Sequence, residues 1–306
     1  MSVQRIVIAG GSGFIGTALA QEFSRRGYAV VVLTRSPRER TDAIREIGWD
    51  AKQPGDWAAQ LDGAVAVINL AGKNINCPHT PENLSAIIAS RVDAANAIAA
   101  ASAQAARPPR VWVQASAIGF YGDTQDRVCD ESAPNGTDNL ATICRQWEAA
   151  GTNMVLPQTR RVVLRIGFVL GREGGALPVL ARLTKWFLGG AVGSGYQFIS
   201  WIHLTDLVEM FVVAVEQEHL AGTFNAVAPN PVTNAEFMGK LRRVLHRPLS
   251  LPAPEFAVKL GAKLMVSEPA LALISQRCVP RKFQEVKFRF QFPGLAATLS
   301  DLCRKR

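Results

Sequence analysis

The chain has 306 residues, of which 48% are hydrophobic and 19% charged, so it can bury a large core and is not disordered as a whole. Its net charge of +9 comes from scattered basic residues, without the alternation of basic and aromatic side chains that favours nucleic-acid binding. A cofactor phosphate site and the basic end Arg304-Lys305-Arg306 account for this charge more simply.

The cysteines and the apolar segments indicate a cytoplasmic protein. The five cysteines form no C-x-x-C pair, so neither a disulfide framework nor a metal site is predicted, and reduced thiols are expected. The start, MSVQRIVIAGG, differs from a signal peptide because its apolar run is short. No stretch stands out as a bilayer span. We expect a small-molecule substrate as the partner, with no nucleic acid and no membrane; the sequence leaves the oligomeric state open.

Strands and helices alternate along the first half of the chain. Helical spacing of apolar residues predicts helices from Phe14 to Arg26 and from Pro81 to Ala106. Short apolar or β-branched runs predict the strands Arg5 to Ala9, Ala29 to Leu33, Ala64 to Leu70, Val111 to Ala115 and Val162 to Ile166. This alternation predicts an α/β fold with a doubly wound, parallel Rossmann sheet of six or seven strands.

The rhythm changes after about Gly171, where glycines cluster and prolines and short helical stretches follow. A further strand at Thr223 to Val227 is expected to return to the main sheet. We therefore predict a Rossmann domain over residues 1–170, which residues 198–230 rejoin, and a smaller, discontinuous C-terminal substrate lobe over residues 171–306. In such folds ligands bind at the carboxyl ends of the strands, between the lobes.

A glycine-rich loop joins the first strand to the first helix. Gly10, Gly13 and Gly16 in the segment GGSGFIG have the spacing G-x-x-G-x-x-G. The first glycine allows a tight turn, the second lets the backbone approach a pyrophosphate, and the third lets the helix pack on the strand. The helix amides at Phe14 and Ile15 would face the phosphates. The loop therefore predicts a dinucleotide site.

The end of the second strand indicates which dinucleotide binds. An NAD-specific domain usually has an acidic residue there, which binds the ribose hydroxyls. This chain has Thr34-Arg35-Ser36 instead. A guanidinium at Arg35 can bind a 2′-phosphate, so we predict NADP(H) as the cofactor. Arg38 and Arg40 are interpreted as solvated charges.

Motifs spread over nearly the whole chain resemble the atypical extended short-chain dehydrogenase/reductases of the NAD-dependent epimerase/dehydratase family. The resemblance is to a branch of uncertain function that has its own small C-terminal domain. Two positions depart from its pattern: a tryptophan expected near His79 is missing, and Lys287 stands where a glycine is usual. The matching segments are GGSGFIG, INLAG, SRV, SAIGFYG, CRQWE, LRIGFVLG, GSGYQFISWIHLTDL, FNAVAPNPVTN and VPRK.

The resemblance extends the predicted cofactor site beyond the glycine loop and the second strand. It implies contacts at the end of the predicted strand Ala64 to Leu70, on the long helix, and after the predicted strands Val111 to Ala115 and Val162 to Ile166. Arg91 stands where the family usually has an asparagine. The added cofactor residues are Asn69, Leu70, Ala71, Gly72, Arg91, Ser116, Gly167 and Phe168.

The resemblance also implies a catalytic Tyr-x-x-x-Lys pair, in which the lysine lowers a phenol pKa that is otherwise about 10. None of the three tyrosines of this chain has a lysine four residues later. Leu140 and Cys144 occupy the tyrosine and lysine positions. The remaining candidates for an unusual proton donor are Ser116, Tyr121, Cys144 and water. Each side chain also has a structural interpretation, which for Cys144 is a buried, inert thiol.

Trp201 and His203 are expected at the junction of the lobes, where they and Tyr121 would line a substrate pocket. The alternative for His203 is a structural histidine bonded to Asp206. The sequence thus supports two functions. One is an NADP(H)-dependent oxidoreductase or epimerase-like enzyme with an unknown small-molecule substrate. The other is a non-catalytic NADP(H)-binding redox sensor or regulatory protein.

Overall fold

The computed structural model describes residues 4–251, 253–255 and 268–304; Lys305 and Arg306 of the basic end lie outside this part. Strands and short strand segments occur throughout it. They are β1 (Arg5–Ala9), β2 (Ala29–Thr34), β3 (Ile44–Gly48), β4 (Ala66–Asn69), β5 (Val111–Ala117), β6 (Arg160–Ile166), β7 (Phe168–Leu170), β8 (Phe198–Ile199), β9 (Trp201–His203), β10 (Gly222–Ala226) and β11 (Val232–Thr233).

The α-helices of the described residues lie mainly between these strands. Two short 3-10 helices, Asp56–Gln60 and Ile118–Tyr121, accompany them. The α-helices are α1 (Phe14–Arg25), α2 (Pro81–Gln104), α3 (Asn139–Thr152), α4 (Leu177–Lys185), α5 (Leu204–Glu216), α6 (Asn234–Val244), α7 (Ala270–Leu273), α8 (Arg281–Glu285) and α9 (Leu295–Cys303).

Seven strands form one parallel sheet in the order β10-β6-β5-β4-β1-β2-β3. This confirms the predicted Rossmann fold. Alternate residues of β1 face opposite layers: Ile6 and Ile8 pack with α1 and α5, whereas Val7 and Ala9 pack with α2. Because both faces are covered, the central strands are continuous apolar runs, as parallel strands usually are.

The predicted and observed strands differ in two instructive ways. The edge strand β3 was not predicted, because its sequence IREIG mixes charged and apolar residues and only Ile44 is fully buried. The segment 198–230 rejoins the main sheet only through β10, which pairs with β6. Its other strands, β8 and β9, pair with β11 and β7 instead. The domain boundary at residue 170 stays a prediction.

The C-terminal lobe has a core of its own. Trp201 of β9, Phe237 and Leu241 of α6, and Leu295 and Leu299 of α9 are buried together there. Helices α6 and α9 pack against each other, and the chain enters the lobe from the carboxyl ends of β6 and β10. The lobe thus lies beyond the carboxyl ends of β6 and β10, the side on which such folds bind ligands.

The unusual Lys287 occupies a position that suits glycine. Its φ is +57°, in the left-handed region that few side chains adopt readily. Lys287 follows α8, and its amide donates to the carbonyl of Gln284, as in a helix C-terminal cap. The glycine expected from the family resemblance would relieve this backbone constraint.

One expectation about the apolar segments was wrong. Within the described residues, α2 is long and apolar enough to pass for a membrane span. The alanine-rich face of α2 packs on the sheet and on α3, where Ala94, Ala95 and Ile98 are buried. A core helix that contacts two layers is apolar over most of its circumference, so it meets the same criterion.

Candidate functional site

The loop between β1 and α1 has room only for glycine at two positions. A methyl group on Gly16 would lie 2.5 Å from the Cα of Gly11, and one on Gly10 would lie 3.0 Å from the amide nitrogen of Ala71. Gly10 also has a φ of +75°. No side chain caps the start of α1 after Gly13. The first amides of α1 are thus available to an anion, as a pyrophosphate requires.

Phe14 connects this loop to the C-terminal lobe. Its ring fills the space beside two glycines that follow β7: methyl groups on Gly171 and Gly174 would lie 2.3 Å and 2.2 Å from ring atoms of Phe14. A larger residue at either position would displace the ring from the start of α1. These two glycines therefore let the lobe pack against the phosphate loop. The sequence indicated them only as part of a glycine cluster from about Gly171 onward.

Among the three arginines that follow β2, only Arg40 forms an ion pair within the described residues. Thr34 is buried, and its hydroxyl lies 3.2 Å from that of Ser12 and accepts from the amide of Ser36 at 3.4 Å. Arg35 is exposed, and neither an ion pair nor a hydrogen bond engages its side chain within the described chain. Arg40 instead pairs with Asp42 and Glu46. Asp42 and Glu46 are therefore engaged by Arg40, and Arg35 can bind a phosphate.

The end of β4 is fixed by buried amides. Asn69 accepts from the amide of Ala71 at 3.1 Å and donates to Gln114 at 3.0 Å. These contacts hold the turn through Leu70 against Gly10. A methyl group on Gly72 would lie 3.0 Å from the guanidinium carbon of Arg91. The predicted residues of β1, β4 and α2 thus meet at one edge of the sheet.

Arg91 is almost buried, and its hydrogen bonds are only partly satisfied. Its Nη1 donates to the carbonyls of Lys73 and Ile87 at 3.0 Å and 3.1 Å, and its guanidinium lies 4.8 Å from the centre of the Trp147 ring. Its Nε is buried without a partner. Buried donors of this kind usually have an acceptor, and a ligand at this edge could supply one.

Three polar side chains form one row across neighbouring strands. Ser116 of β5 and Asn225 of β10 are both in register with Arg165 of β6. Residues in register point to the same face of a sheet, so this row lies together near the carboxyl ends of the strands. All three residues are buried.

Glu148 of α3 completes the row from above. Ser116 donates to its Oε1 at 2.6 Å, while Arg165 donates to both carboxylate oxygens at 2.9 Å. Burial by itself lowers the pKa of Arg165, but its hydrogen bonds and ion pair with Glu148 outweigh burial and raise it. The carboxylate thus holds both a buried cation and the hydroxyl of Ser116.

The hydroxyl of Tyr121 both donates and accepts a hydrogen bond. It donates to Asn225 at 2.7 Å and accepts from Nη1 of Arg165 at 2.9 Å. Burial raises the pKa of Tyr121 above its usual value, so the phenol stays protonated at neutral pH. Arg165 also lies over the ring of Phe120, 3.3 Å from its centre. In this arrangement Tyr121 orients Arg165.

Ser116 and Tyr121 were predicted site residues, whereas Arg165, Asn225 and Glu148 were not. A signal was present in two of these cases. Arg165 and Asn225 are polar residues within otherwise apolar strands, VVLRI and TFNAV, and such residues need a partner when buried. Glu148 follows Trp147 on α3, where the pattern suited an ordinary helix surface.

Cys144 lies next to this row without joining its hydrogen bonds. It is buried, and a methyl group on Gly119 would lie 3.5 Å from its Sγ. Burial, together with the charge of Glu148, raises the pKa of Cys144 to about 12. The thiol therefore stays protonated at neutral pH, which makes it a poor nucleophile and a poor base.

We expect Cys144→Ala to leave the affinity for NADPH within about twofold of wild type, because an inert buried thiol contributes packing only. A fluorescence titration with NADPH measures this affinity. Cys144→Ser, which places a more polar hydroxyl in the same volume, is the matched variant. A loss of about tenfold or more in both variants would contradict the structural interpretation.

The structure places the other predicted pocket residues in the core of the lobe. Trp201 is fully buried and donates to the carbonyl of Asn230 at 3.0 Å. His203 accepts from the amide of Thr205 at 3.0 Å, lies 3.4 Å from Asp301, and stacks on Phe292. Burial lowers the pKa of His203. These contacts cap α5 and attach α9, and neither side chain faces the polar row.

His203 is thus paired with Asp301 rather than with Asp206, the partner suggested by the sequence. Asp206 accepts from the amides of Gln291 and Phe292 at 2.8 Å and 3.0 Å. Asp206 is nearby in sequence, whereas Asp301 is on the last described helix. Only the packing of α9 against the lobe brings Asp301 to the ring.

Gly167 and Phe168, the last predicted cofactor residues, lie between the sheet and the lobe. A methyl group on Gly167 would lie 2.5 Å from the carbonyl oxygen of Ser200, so glycine is needed for β9 to approach. The amide of Phe168 donates to the same carbonyl at 2.8 Å, and its ring contacts Phe237. In the structure both residues join the lobe to β6.

Comparison with known proteins identifies relatives over the full length. An epimerase family protein, SDR39U1, of Bos taurus is 36% identical over 305 residues, which are 97% of this chain and 99% of that protein. The epimerase family protein YfhF of Bacillus subtilis is 33% identical over 98% of both chains. A crystal structure of human SDR39U1 with NADPH has a TM-score of 0.87 at 33% identity and covers 98% of this chain and 99% of that one.

Two family models match the chain in succession. A domain of unknown function, DUF1731, matches residues 253–302, most of them in the C-terminal lobe. The model of the NAD dependent epimerase/dehydratase family matches residues 6–226, which include the glycine loop, the polar row and the whole main sheet. With these matches and full-length relatives above 30% identity, the chain belongs to the NAD dependent epimerase/dehydratase family.

Proposed function

We propose that this protein is an NADP(H)-dependent oxidoreductase or epimerase-like enzyme that acts on a small molecule. The observation that carries the proposal is the buried arrangement of Ser116, Glu148 and Arg165, which lies at the carboxyl ends of the strands, as the glycine loop does. A buried ion pair and a buried hydroxyl beside a dinucleotide-binding loop are typical of catalytic sites, whereas cofactor binding alone does not require them.

The residues around the glycine loop fit a dinucleotide phosphate. Gly10 and Gly16 leave no space for a side chain, the amides of α1 are available to the pyrophosphate, and Arg35 is free for a 2′-phosphate. The crystal structure of human SDR39U1 contains NADPH, which supports the same cofactor here. When bound, the nicotinamide ring donates or accepts a hydride.

Ser116 is the group that we assign to the substrate. Its hydroxyl proton is held by Glu148, so its oxygen can accept a hydrogen bond from a substrate hydroxyl. As the substrate hydroxyl is deprotonated, its proton moves to the oxygen of Ser116 and the serine proton moves to Glu148. Arg165 holds the carboxylate of Glu148 by hydrogen bonds to both of its oxygens, and Tyr121 keeps Arg165 in place. This relay replaces the missing Tyr-x-x-x-Lys pair.

Cofactor preference tests the role of Arg35. We expect wild type to bind NADPH about ten- to a hundredfold more tightly than NADH, because a hydrogen bond to a charged group contributes about 1.5–3 kcal/mol. Arg35→Ala should remove most of this preference and leave NADH binding nearly unchanged. Titration of both cofactors measures it, with Arg38→Ala as the matched control. Tighter NADH binding by wild type would refute the assignment.

A second function has a specific observation in its favour. By the family resemblance, Leu140 and Cys144 stand at the positions of the usual tyrosine and lysine; both are buried, and the hydroxyl of Tyr121 already makes two hydrogen bonds. A protein that binds NADP(H) without turnover, as a redox sensor or regulator, needs no proton donor. In that case the polar row would serve only to attach β5, β6 and β10 to α3.

A screen of small carbonyl and hydroxyl compounds, monitored by NADPH absorbance, distinguishes the two functions. Turnover that depends on Ser116 supports the enzyme. Binding of NADPH without turnover, together with a partner protein whose affinity differs between NADP⁺ and NADPH, supports the sensor. A cytoplasmic location is part of either proposal; the relative in Arabidopsis thaliana, 36% identical over 95% of this chain and 84% of its own length, is described as chloroplastic.

A further inference from the structure

The strongest unexplained feature is a group of exposed apolar side chains on the C-terminal lobe. Trp186 is 75% exposed, Leu249 76% and Leu251 69%, and Phe187 and Leu188 are also exposed. We call these five residues the apolar tip. Large exposed apolar groups that lie together usually mark an interaction surface, whereas isolated ones need no explanation.

Hydrogen bonds hold the two segments of the apolar tip side by side. The carbonyl of Phe187 accepts from the amide of Leu251 at 3.2 Å and from the hydroxyl of Ser250 at 2.9 Å. Phe187 has a φ of +62°, which a bulky side chain rarely adopts. The fold therefore keeps this ring at the surface in spite of an unfavourable backbone conformation.

The two segments that contain the apolar tip are basic. Residues 177–196 and 240–254 contain six lysines and arginines and no acidic residue. The side chains of Arg182, Lys185 and Arg243 are exposed and have no carboxylate partner among the described residues. Arg247 lies over the ring of Phe187, 5.4 Å from its centre, and donates to the carbonyl of Lys185. Cations thus directly adjoin the apolar side chains.

The geometry points to docking of the apolar tip on an anionic lipid bilayer. Tryptophan and leucine insert at the boundary between headgroups and acyl chains, and adjacent lysines and arginines bind anionic headgroups. A protein partner would more often meet a rim of mixed charge. This proposal departs from the expectation, drawn from the sequence, that the protein has no membrane partner; a surface contact of this kind needs no spanning segment.

Vesicle sedimentation tests the proposal on the full chain. We expect the protein to sediment with vesicles of mixed phosphatidylglycerol and phosphatidylcholine, to remain in solution with pure phosphatidylcholine, and to be released by high salt. The tryptophan fluorescence of the protein should shift to shorter wavelength on binding, because the exposed indole of Trp186 leaves water. No sedimentation with anionic vesicles, or equal sedimentation with both, would overturn the proposal.

Two pairs of substitutions separate the apolar and the ionic contributions. Trp186→Ser with Leu249→Ser should lower partitioning about tenfold or more. Arg182→Gln with Arg243→Gln should lower it about twenty-five-fold, since each cation near an anionic surface contributes about fivefold. The controls are Val155→Ser, at a position 84% exposed, and Arg45→Gln with Arg289→Gln, which remove the same charge elsewhere.

Circular dichroism and the affinity for NADPH verify that each variant is folded. Failure of NADPH turnover has no bearing on this test, so the lipid proposal and the proposed function can fail separately. Equal partitioning of control and test variants would overturn the assignment of the apolar tip. A dimer in solution that Trp186→Ser with Leu249→Ser dissociates would also overturn it, because a second copy of the chain would then cover the surface.

Discussion

Replacing Glu148 with leucine should lower the free energy of unfolding by about 3–5 kcal/mol, because it leaves the Arg165 guanidinium buried without its counter-charge. The side chains of Arg165 and Glu148 are only 7% and 13% exposed. Glu148→Gln should cost less, since its amide oxygen still accepts a hydrogen bond. Urea denaturation at an unchanged m-value measures the difference.

The control is the exposed pair of Lys240 and Glu236, both on α6. Glu236→Leu should cost a small fraction of the loss at Glu148, because exposed ion pairs contribute little. The double variant Glu148→Leu with Arg165→Met should recover part of the stability, as buried pairs replaced by apolar residues often do. Equal losses at Glu148 and Glu236 would mean that the buried ion pair is not what holds α3 to the sheet.

Ser116→Ala should reduce kcat about a hundredfold or more on any substrate found in the screen, because removal of one positioned hydrogen-bonding group in an active site has effects of this size. The affinity for NADPH should change little, since the side chain acts on the substrate. Steady-state kinetics and cofactor titration on the same preparations measure both quantities.

Cys144→Ala is the natural comparison, since the thiol is buried next to the same row without a hydrogen bond to it. It should retain substantial activity, whereas Ser116→Ala should not. Ser116→Thr, which keeps the hydroxyl, should restore part of the rate. Equal and negligible effects at Ser116 and Cys144 would remove the polar row from the reaction and favour the sensor.

The main fold and the cofactor-binding residues of the first two strands could be predicted from local sequence patterns. Apolar strands alternate with helical spacing from Arg5 to Ile166, and only a parallel sheet covered on both faces buries such runs. The segment GGSGFIG and the residues Thr34-Arg35-Ser36 are local signals, because their function depends on the backbone within a single strand-turn-helix unit. The edge strand β3 was missed because its half-exposed residues have no clear period.

Contacts between residues that are distant in sequence could be identified from the tertiary structure only. Ser116, Arg165 and Asn225 form a row because β5, β6 and β10 pair in one register, and register depends on packing over the whole sheet rather than on any short segment. In the apolar tip, residues 186–188 are likewise joined to residues 249–251 by hydrogen bonds to the carbonyl of Phe187. Long-range contacts of this kind produce no periodic pattern in the sequence. The hydrogen bonds and ion pairs that they form could therefore not be predicted from the chain alone.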